Sequence, residues 1–88
     1  MRDDYRVFVH TEALDVLPKS GRRRETVIAF LRDLGHRWSL GGDYKEEEPQ
    51  TGRSVNVTEI MGFAVTWWVD DPVLEVKVVD IRIADDAS

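Results

Sequence analysis

The 88-residue sequence contains no cysteine, which excludes disulfide bonds, thiolate nucleophiles and cysteine-ligated zinc. It also lacks an apolar run near the roughly 18 residues that a membrane-spanning helix requires. The first residues, MRDDYR, lack the apolar core of a signal peptide. These absences together predict a cytoplasmic protein with no membrane partner.

Acidic residues outnumber basic ones, seventeen to twelve, which gives a net charge of −5. This balance disfavours non-specific binding to nucleic acid, because such binding is driven by cations that displace counterions from phosphates. The charged residues are unevenly distributed along the sequence. Residues 1–42 contain eight basic and six acidic side chains, whereas residues 43–88 contain four basic and eleven acidic ones. With 42% apolar and 33% charged residues, the chain is typical of one soluble domain over residues 1–88.

The first half of the chain has the pattern of a strand followed by two helices. Residues 5–10, YRVFVH, alternate as in a strand, and Thr11 can cap a short helix over residues 12–17. A second helix is expected to begin near Ser20, a good N-cap residue, and to end at Gly35, a residue type common just past helix ends. Its apolar face is formed at i, i+4 and i+7 by Val27, Leu31 and Leu34.

The second half is strand-like from residue 44 to residue 83, which completes the order β-α-α-β-β-β. The apolar positions change parity in the last strand, and this favours a β-bulge near Val78. Alternation predicts that the helices cover Phe63, Val65 and Trp67. The opposite, outward surface is expected to contain Ala64, Thr66, Trp68, Ser54, Asn56, Thr58, Asp80 and Arg82. Trp68 is therefore a candidate contact for a partner protein.

Three consecutive arginines, Arg22, Arg23 and Arg24, fall in the first turn of the second predicted helix. Cations at this end oppose the helix dipole at a cost of about 0.3–1 kcal/mol. Two interpretations stay open for them. They bind an anionic partner, or they lie over apolar surface and pair with acidic residues of the same chain.

The stretch DYKEEEPQTGR combines three glutamates with a turn that contains proline and glycine. Alternation places Glu46 and Glu48 on one side of a strand and Lys45 and Glu47 on the other, so the three acids do not converge. This argues against a metal site and favours a solvated hairpin. The sequence also lacks a hydrolase triad and a phosphate-binding loop, and we expect no cofactor and no metal.

Three segments, GGDYKEEEPQTGRSVNV, GFAVTWWVDD and VKVVDIRIAD, resemble the RelE/ParE superfamily of toxins from type II toxin-antitoxin modules. The resemblance covers nearly the whole chain and is greatest to the plasmid-stabilisation-like branch. It implies an α+β fold, with a helical hairpin packed on a small twisted antiparallel sheet. It also implies a bacterial, cytoplasmic protein that is neutralised by a cognate antitoxin, a segment of which wraps the toxin.

The resemblance is incomplete at the positions that matter for RNA cleavage. Messenger-RNA-cleaving members usually carry an arginine where this chain has Ala64, and a second arginine in the last strand, where this chain has Arg82. They often use a tyrosine or histidine near the C-terminus, whereas this chain ends IADDAS. Members similar to ParE inhibit DNA gyrase through protein contacts and need no catalytic residues.

We therefore expect a toxin-family component that acts mainly through protein partners. One alternative is an endoribonuclease that uses Arg82, with Lys45 and Arg53 as phosphate contacts. Another is a degenerate member without toxicity. The ribosome and DNA gyrase are both candidate targets, and a homo-oligomer is compatible with the sequence.

Overall fold

The computed structural model describes residues 4–84. Within this range the chain forms one α-helix and five strands, namely β1 (Arg6–Val9), α1 (Arg22–Arg37), β2 (Tyr44–Glu47), β3 (Ser54–Ile60), β4 (Phe63–Asp70) and β5 (Glu75–Ile83). Three short 3₁₀ turns cover Thr11–Val16, Trp38–Leu40 and Asp71–Val73. No helix in the described range is both long and apolar enough to cross a bilayer.

The five strands form one sheet in the order β1-β5-β4-β3-β2. Strands β2 to β5 are paired antiparallel, which confirms the sheet expected over residues 44–83. Strand β1 pairs parallel to β5, so the sheet is mixed. The predicted order β-α-α-β-β-β also has the wrong number of strands, because four strands rather than three follow the helix.

The expected helical hairpin is also wrong, since the segment predicted as a first helix is the 3₁₀ turn Thr11–Val16. This segment has only six residues and is followed by Leu17 in an extended conformation and then by Pro18. So short a segment forms too few hydrogen bonds to offset the free energy needed to nucleate an α-helix. A single helix, α1, therefore covers the sheet.

The boundaries of α1 differ from the sequence expectation at both ends. Its N-cap is Gly21, with a φ of 103°, rather than Ser20. Gly35 does not end the helix and lies buried within it. A side chain at Gly35 would collide with the carbonyl oxygen of Tyr5, whose amide donates a hydrogen bond of 2.9 Å to the Gly35 carbonyl. This glycine therefore permits close contact between the helix and the residue before β1.

The core lies between α1 and one face of the sheet. As predicted, Val27, Leu31 and Leu34 of α1 are buried. They belong to the same apolar cluster as Phe63, Val65, Trp67, Val76 and Val78. Trp67 is fully buried, and its indole nitrogen donates a hydrogen bond of 3.1 Å to Thr58 Oγ1. The helix therefore covers the alternate β4 residues that the sequence pattern assigned to it.

The predicted β-bulge is confirmed in β5. Pairing with β4 passes from Thr66↔Asp80 to Trp67↔Val78, so Val79 has no partner in β4. The extra residue accounts for the change of parity in the sequence, because it returns Ile81 to the helix side of the sheet.

The face of the sheet opposite α1, here called the outer face, differs from the prediction in β3. Asn56 pairs with Trp67 and Thr58 with Val65, so Asn56 and Thr58 lie on the helix side. Ser54 shares their alternation. Their places on the outer face are taken by Val55 and Val57, which are 3% and 0% exposed. The prediction failed because it assumed that the apolar residues of β3 would face the helix, whereas the outer face is also buried there.

Candidate functional site

Arg82 lies on the outer face, opposite Ala64 of the neighbouring strand. Its guanidinium forms ion pairs with Asp80 (Nη1 to Oδ2, 3.4 Å) and with Glu46 (Nη2 to Oε1, 3.6 Å). Because β3 and β4 separate β2 from β5, the contact with Glu46 reaches across the outer face. All three side chains are about half exposed, so each pair contributes less than about 1 kcal/mol to stability.

A groove of about 240 Å³ surrounds this arginine. Its lining contains Glu46, Glu47, Glu48, Pro49, Val55, Thr66, Val79, Asp80 and Arg82. Four carboxylates thus accompany one guanidinium, and we call this site the acidic groove. The prediction that Glu46, Glu47 and Glu48 do not converge is wrong here, because β2 ends at Glu47 and strand alternation does not continue into the turn. A phosphate that approached Arg82 would meet an excess of negative charge.

Lys45 does not extend towards Arg82. It pairs with Asn56, which lies on the helix side of the sheet, and its ammonium donates a hydrogen bond of 2.9 Å to Asn56 Oδ1. Glu46, the next residue, lies on the outer face beside Val55. Successive residues of β2 therefore carry opposite charges to opposite faces.

Arg53 makes its contacts with Trp68 and Glu48 rather than with Arg82. Its guanidinium lies 3.9 Å from the centre of the Trp68 ring and forms an ion pair of 3.4 Å with Glu48. Trp68 stands four residues along β4 from Ala64, the partner of Arg82, which corresponds to about 13 Å of strand. The structure therefore does not bring Arg82, Lys45 and Arg53 together as one catalytic group.

The stretch between β2 and β3 forms a closed turn. The amide of Glu48 donates to the Arg53 carbonyl at 2.8 Å, and the amide of Gly52 donates to the Glu48 carbonyl at 2.7 Å. Thr51 donates its hydroxyl to Glu48 Oε1 at 2.9 Å. Most residues of this hairpin are exposed, in agreement with the interpretation as a solvated hairpin.

A second cleft lies on the other side of this hairpin, where β3 and β4 separate. Their pairing begins at Asn56↔Trp67, although β3 starts at Ser54 and β4 continues to Asp70. The resulting space of about 560 Å³ is lined by Trp38, Ser39, Gly41, Lys45, Arg53, Ser54, Asn56, Trp68 and Val69. We call it the hairpin cleft. None of these nine residues is acidic, and two are cations.

The helix arginines are largely engaged within the chain. Arg23 donates from Nε to the Met61 carbonyl at 3.2 Å, and its guanidinium lies 4.5 Å from the Phe63 ring centre. Arg24 donates to the Pro18 carbonyl at 3.2 Å. Arg22 is exposed at the first position of α1. For Arg23, this geometry favours the interpretation in which an arginine lies over apolar surface.

No group of three or more His, Cys, Asp or Glu side chains in residues 4–84 is arranged to hold a metal ion. Of the two histidines, His36 contacts Asp4 through Nδ1 at 2.8 Å on the surface. His10 is exposed and follows the end of β1. Neither histidine belongs to the acidic groove or the hairpin cleft.

Comparison with known proteins gives matches to solved structures. No protein-family model and no curated protein matches the sequence. The structure is similar to a chain of the toxin-antitoxin complex RelBE2 from Mycobacterium tuberculosis, with 19% identity, a TM-score of 0.67, and coverage of 93% of this chain and 94% of that one. It is also similar to a chain of the archaeal RelE-RelB complex from Pyrococcus horikoshii OT3, with 21% identity, a TM-score of 0.70, and coverage of 96% and 99%.

The chain has a RelE-like fold. The likeness extends over almost the full length of both solved chains, so the α+β class implied by the sequence resemblance is confirmed, whereas the helical hairpin is not. At about one identical residue in five, the comparison concerns the arrangement of helix and strands and does not transfer any side chain's role.

Proposed function

We propose that this chain is the toxin component of a type II toxin-antitoxin module, neutralised by a cognate antitoxin and acting mainly through protein partners. The observation that carries the proposal is the full-length fold match to chains from two complexes named RelBE2 and RelE-RelB. The sequence resemblance to the plasmid-stabilisation-like branch supports the same assignment. In this proposal the protein is bacterial and cytoplasmic, with DNA gyrase or the ribosome as its target.

The charge around Arg82 supports action through protein contacts rather than RNA cleavage. Cleavage requires a base for the 2′-hydroxyl, an acid for the leaving oxygen and cations for the phosphate. In the described part of the chain, Arg82 is paired with two carboxylates of the acidic groove, whereas Lys45 contacts Asn56 and Arg53 contacts Trp68. Ala64, opposite Arg82, supplies no second cation.

An endoribonuclease that uses Arg82 is the second candidate, and one observation favours it. The side chain of Arg82 is 55% exposed, and its two acidic partners are 45% and 47% exposed. Because such exposed ion pairs are weak, an RNA phosphate could displace them at little cost. A degenerate, non-toxic family member is the third candidate.

The proposal is tested by inducing the chain alone in bacterial cells and following growth. We expect growth arrest that is relieved when the neighbouring small open reading frame of the source genome is co-expressed. A version with an early stop codon controls for the burden of transcription. Normal growth at verified soluble expression would contradict the toxin assignment and favour the non-toxic alternative.

A replacement at Arg82 separates action through protein contacts from RNA cleavage in the same assay. Arg82→Ala is expected to arrest growth as strongly as the unaltered chain, because protein contacts do not require a phosphate-binding cation. Loss of toxicity in soluble, folded Arg82→Ala protein would favour the endoribonuclease.

A further inference from the structure

The hairpin cleft is a positively charged site in an acidic protein. Lys45 contributes an ammonium whose hydrogen-bond partner, Asn56, is neutral and 8% exposed. An ammonium has three donors, so further donors are available to a ligand. The guanidinium carbon of Arg53 lies 3.9 Å from the centre of the Trp68 ring, and this contact holds the guanidinium at the cleft before any ligand arrives. The cleft therefore suits an anionic group beside an apolar one.

The same cleft also exposes strand backbone. Pairing between β3 and β4 stops at Asn56↔Trp67, so the side of β4 from Trp68 to Asp70 that faces the cleft is not paired with β3. An unpaired strand edge offers amide and carbonyl groups to a second extended chain. A peptide can use these groups along its backbone while its alternate side chains reach the cations.

We propose that the hairpin cleft binds a short, extended acidic segment of the cognate antitoxin. The segment's backbone pairs with the free edge of β4, a carboxylate lies between Lys45 and Arg53, and an apolar side chain contacts Trp68. This inference rests on the proposed function for the identity of the partner. It differs from the interpretation in which the arginines that begin α1 bind an anionic partner.

Charge outside the cleft favours a peptide over a nucleic acid. Glu48 forms an ion pair with Arg53, and Asp70 lies at the end of the free β4 edge. Because Asp70 is itself paired with Lys77 at 3.0 Å, the repulsion of a polyanion that extends beyond the cleft comes mainly from the net charge of −5. A peptide with one or two carboxylates avoids that repulsion because its remaining residues are neutral.

A random seven-residue peptide library, displayed on phage and selected on the full chain at low salt, tests the cleft without knowledge of the antitoxin. We expect enrichment of peptides that place Asp or Glu beside apolar residues. Selected peptides, measured by fluorescence anisotropy, should bind Lys45→Gln/Arg53→Gln about three- to tenfold more weakly, the effect of losing two partly exposed charge contacts. Absence of enrichment, or enrichment without acidic residues, would contradict the proposal.

Two controls separate the cleft from general charge and from folding. Lys19→Gln/Arg32→Gln removes one lysine and one arginine at exposed positions elsewhere and should change affinity less than twofold. Ser39→Asp adds a carboxylate at an exposed position of the lining and should also weaken binding. Equal losses in both double variants, or unchanged affinity in Ser39→Asp, would contradict the assignment. Displacement of the peptide by an equal concentration of hexauridylate would assign the cleft to nucleic acid instead.

Growth assays keep this inference distinct from the proposed function. Ser39→Asp, which leaves Lys45 and Arg53 in place, should remain toxic but should no longer be neutralised by the co-expressed neighbouring reading frame. Neutralisation that is unchanged would overturn the cleft assignment and leave the toxin assignment intact. A chain that is not toxic in any form would overturn the toxin assignment, while the peptide selection would still decide whether the cleft binds acidic segments.

Discussion

The two clefts beside the β2–β3 hairpin carry opposite charge although they are built from adjacent residues. The lining of the acidic groove contains Arg82 and four carboxylates, whereas that of the hairpin cleft contains Lys45 and Arg53 and no carboxylate. Strand alternation accounts for one part of this difference, because Lys45 and Glu46 point to opposite faces of β2. The net charge of the chain therefore describes neither surface.

The two clefts also differ in the contacts that their arginines, Arg82 and Arg53, make. Among residues 4–84, Arg82 is paired only with exposed acids, so its charge is locally balanced. Arg53 has one acidic partner but is additionally stacked on an aromatic ring. A stacked guanidinium retains its charge and loses conformational freedom, which prepares it for an anionic ligand. The predictions below test whether the two sites differ in these ways.

The largest expected effect comes from the core that α1 forms with the sheet. Leu31 is 4% exposed in the core between α1 and the sheet. Leu31→Ala should lower the free energy of unfolding by about 2–5 kcal/mol, because it leaves a cavity among packed side chains. Urea denaturation measures the loss, and Arg32→Ala at the adjacent exposed position is the control. A loss below about 0.5 kcal/mol would place Leu31 outside the core.

Removal of negative charge from the acidic groove should let it bind anions, as the hairpin cleft is proposed to do. Glu46→Gln/Asp80→Asn frees Arg82 from both ion-pair partners. We expect affinity for a short single-stranded RNA to rise about two- to tenfold at low salt, since each exposed charge contributes modestly. Electrophoretic mobility shift measures the change. Binding of acidic peptides to the hairpin cleft should stay the same, and a parallel change there would show that only total charge matters.

The smallest effect concerns Arg23, which contacts Met61 and Phe63. Arg23→Ala should lower the free energy of unfolding by about 0.5–1 kcal/mol, as expected for an exposed cation–π contact. Arg22→Ala, at the exposed neighbouring position, should remain within about 0.5 kcal/mol of the unaltered chain. Thermal unfolding followed by circular dichroism compares the two. Equal stability of both variants would indicate that Arg23 is available to a partner, as Arg22 is.

Much of the architecture follows from sequence periodicity. The i, i+4, i+7 pattern identified the buried face of α1, and alternation identified the buried face of β4. The change of parity in the last strand identified the bulge at Val79. These features share a strong local signal, because each depends on whether a side chain faces the core.

Other features depend on long-range contacts that periodicity does not record. The role of Gly35 depends on the approach of Tyr5, thirty residues earlier in the chain. The orientation of β3 depends on burial of both sheet faces, which a pattern of alternation cannot assign. The hairpin cleft had a partial signal in the Lys45 and Arg53 pair that flanks the turn. Its location depends on where β3 and β4 part, which the sequence does not indicate.

The central claim, that this chain acts through protein contacts, is tested most directly on translating ribosomes. Purified chain and its Arg82→Ala variant are added to a translation reaction, and cleavage of the messenger RNA is mapped by primer extension. We predict little or no cleavage by either protein, because the groove around Arg82 lacks a second cation and is rich in carboxylates. Robust cleavage by the unaltered chain that Arg82→Ala abolishes would contradict this account and establish the endoribonuclease.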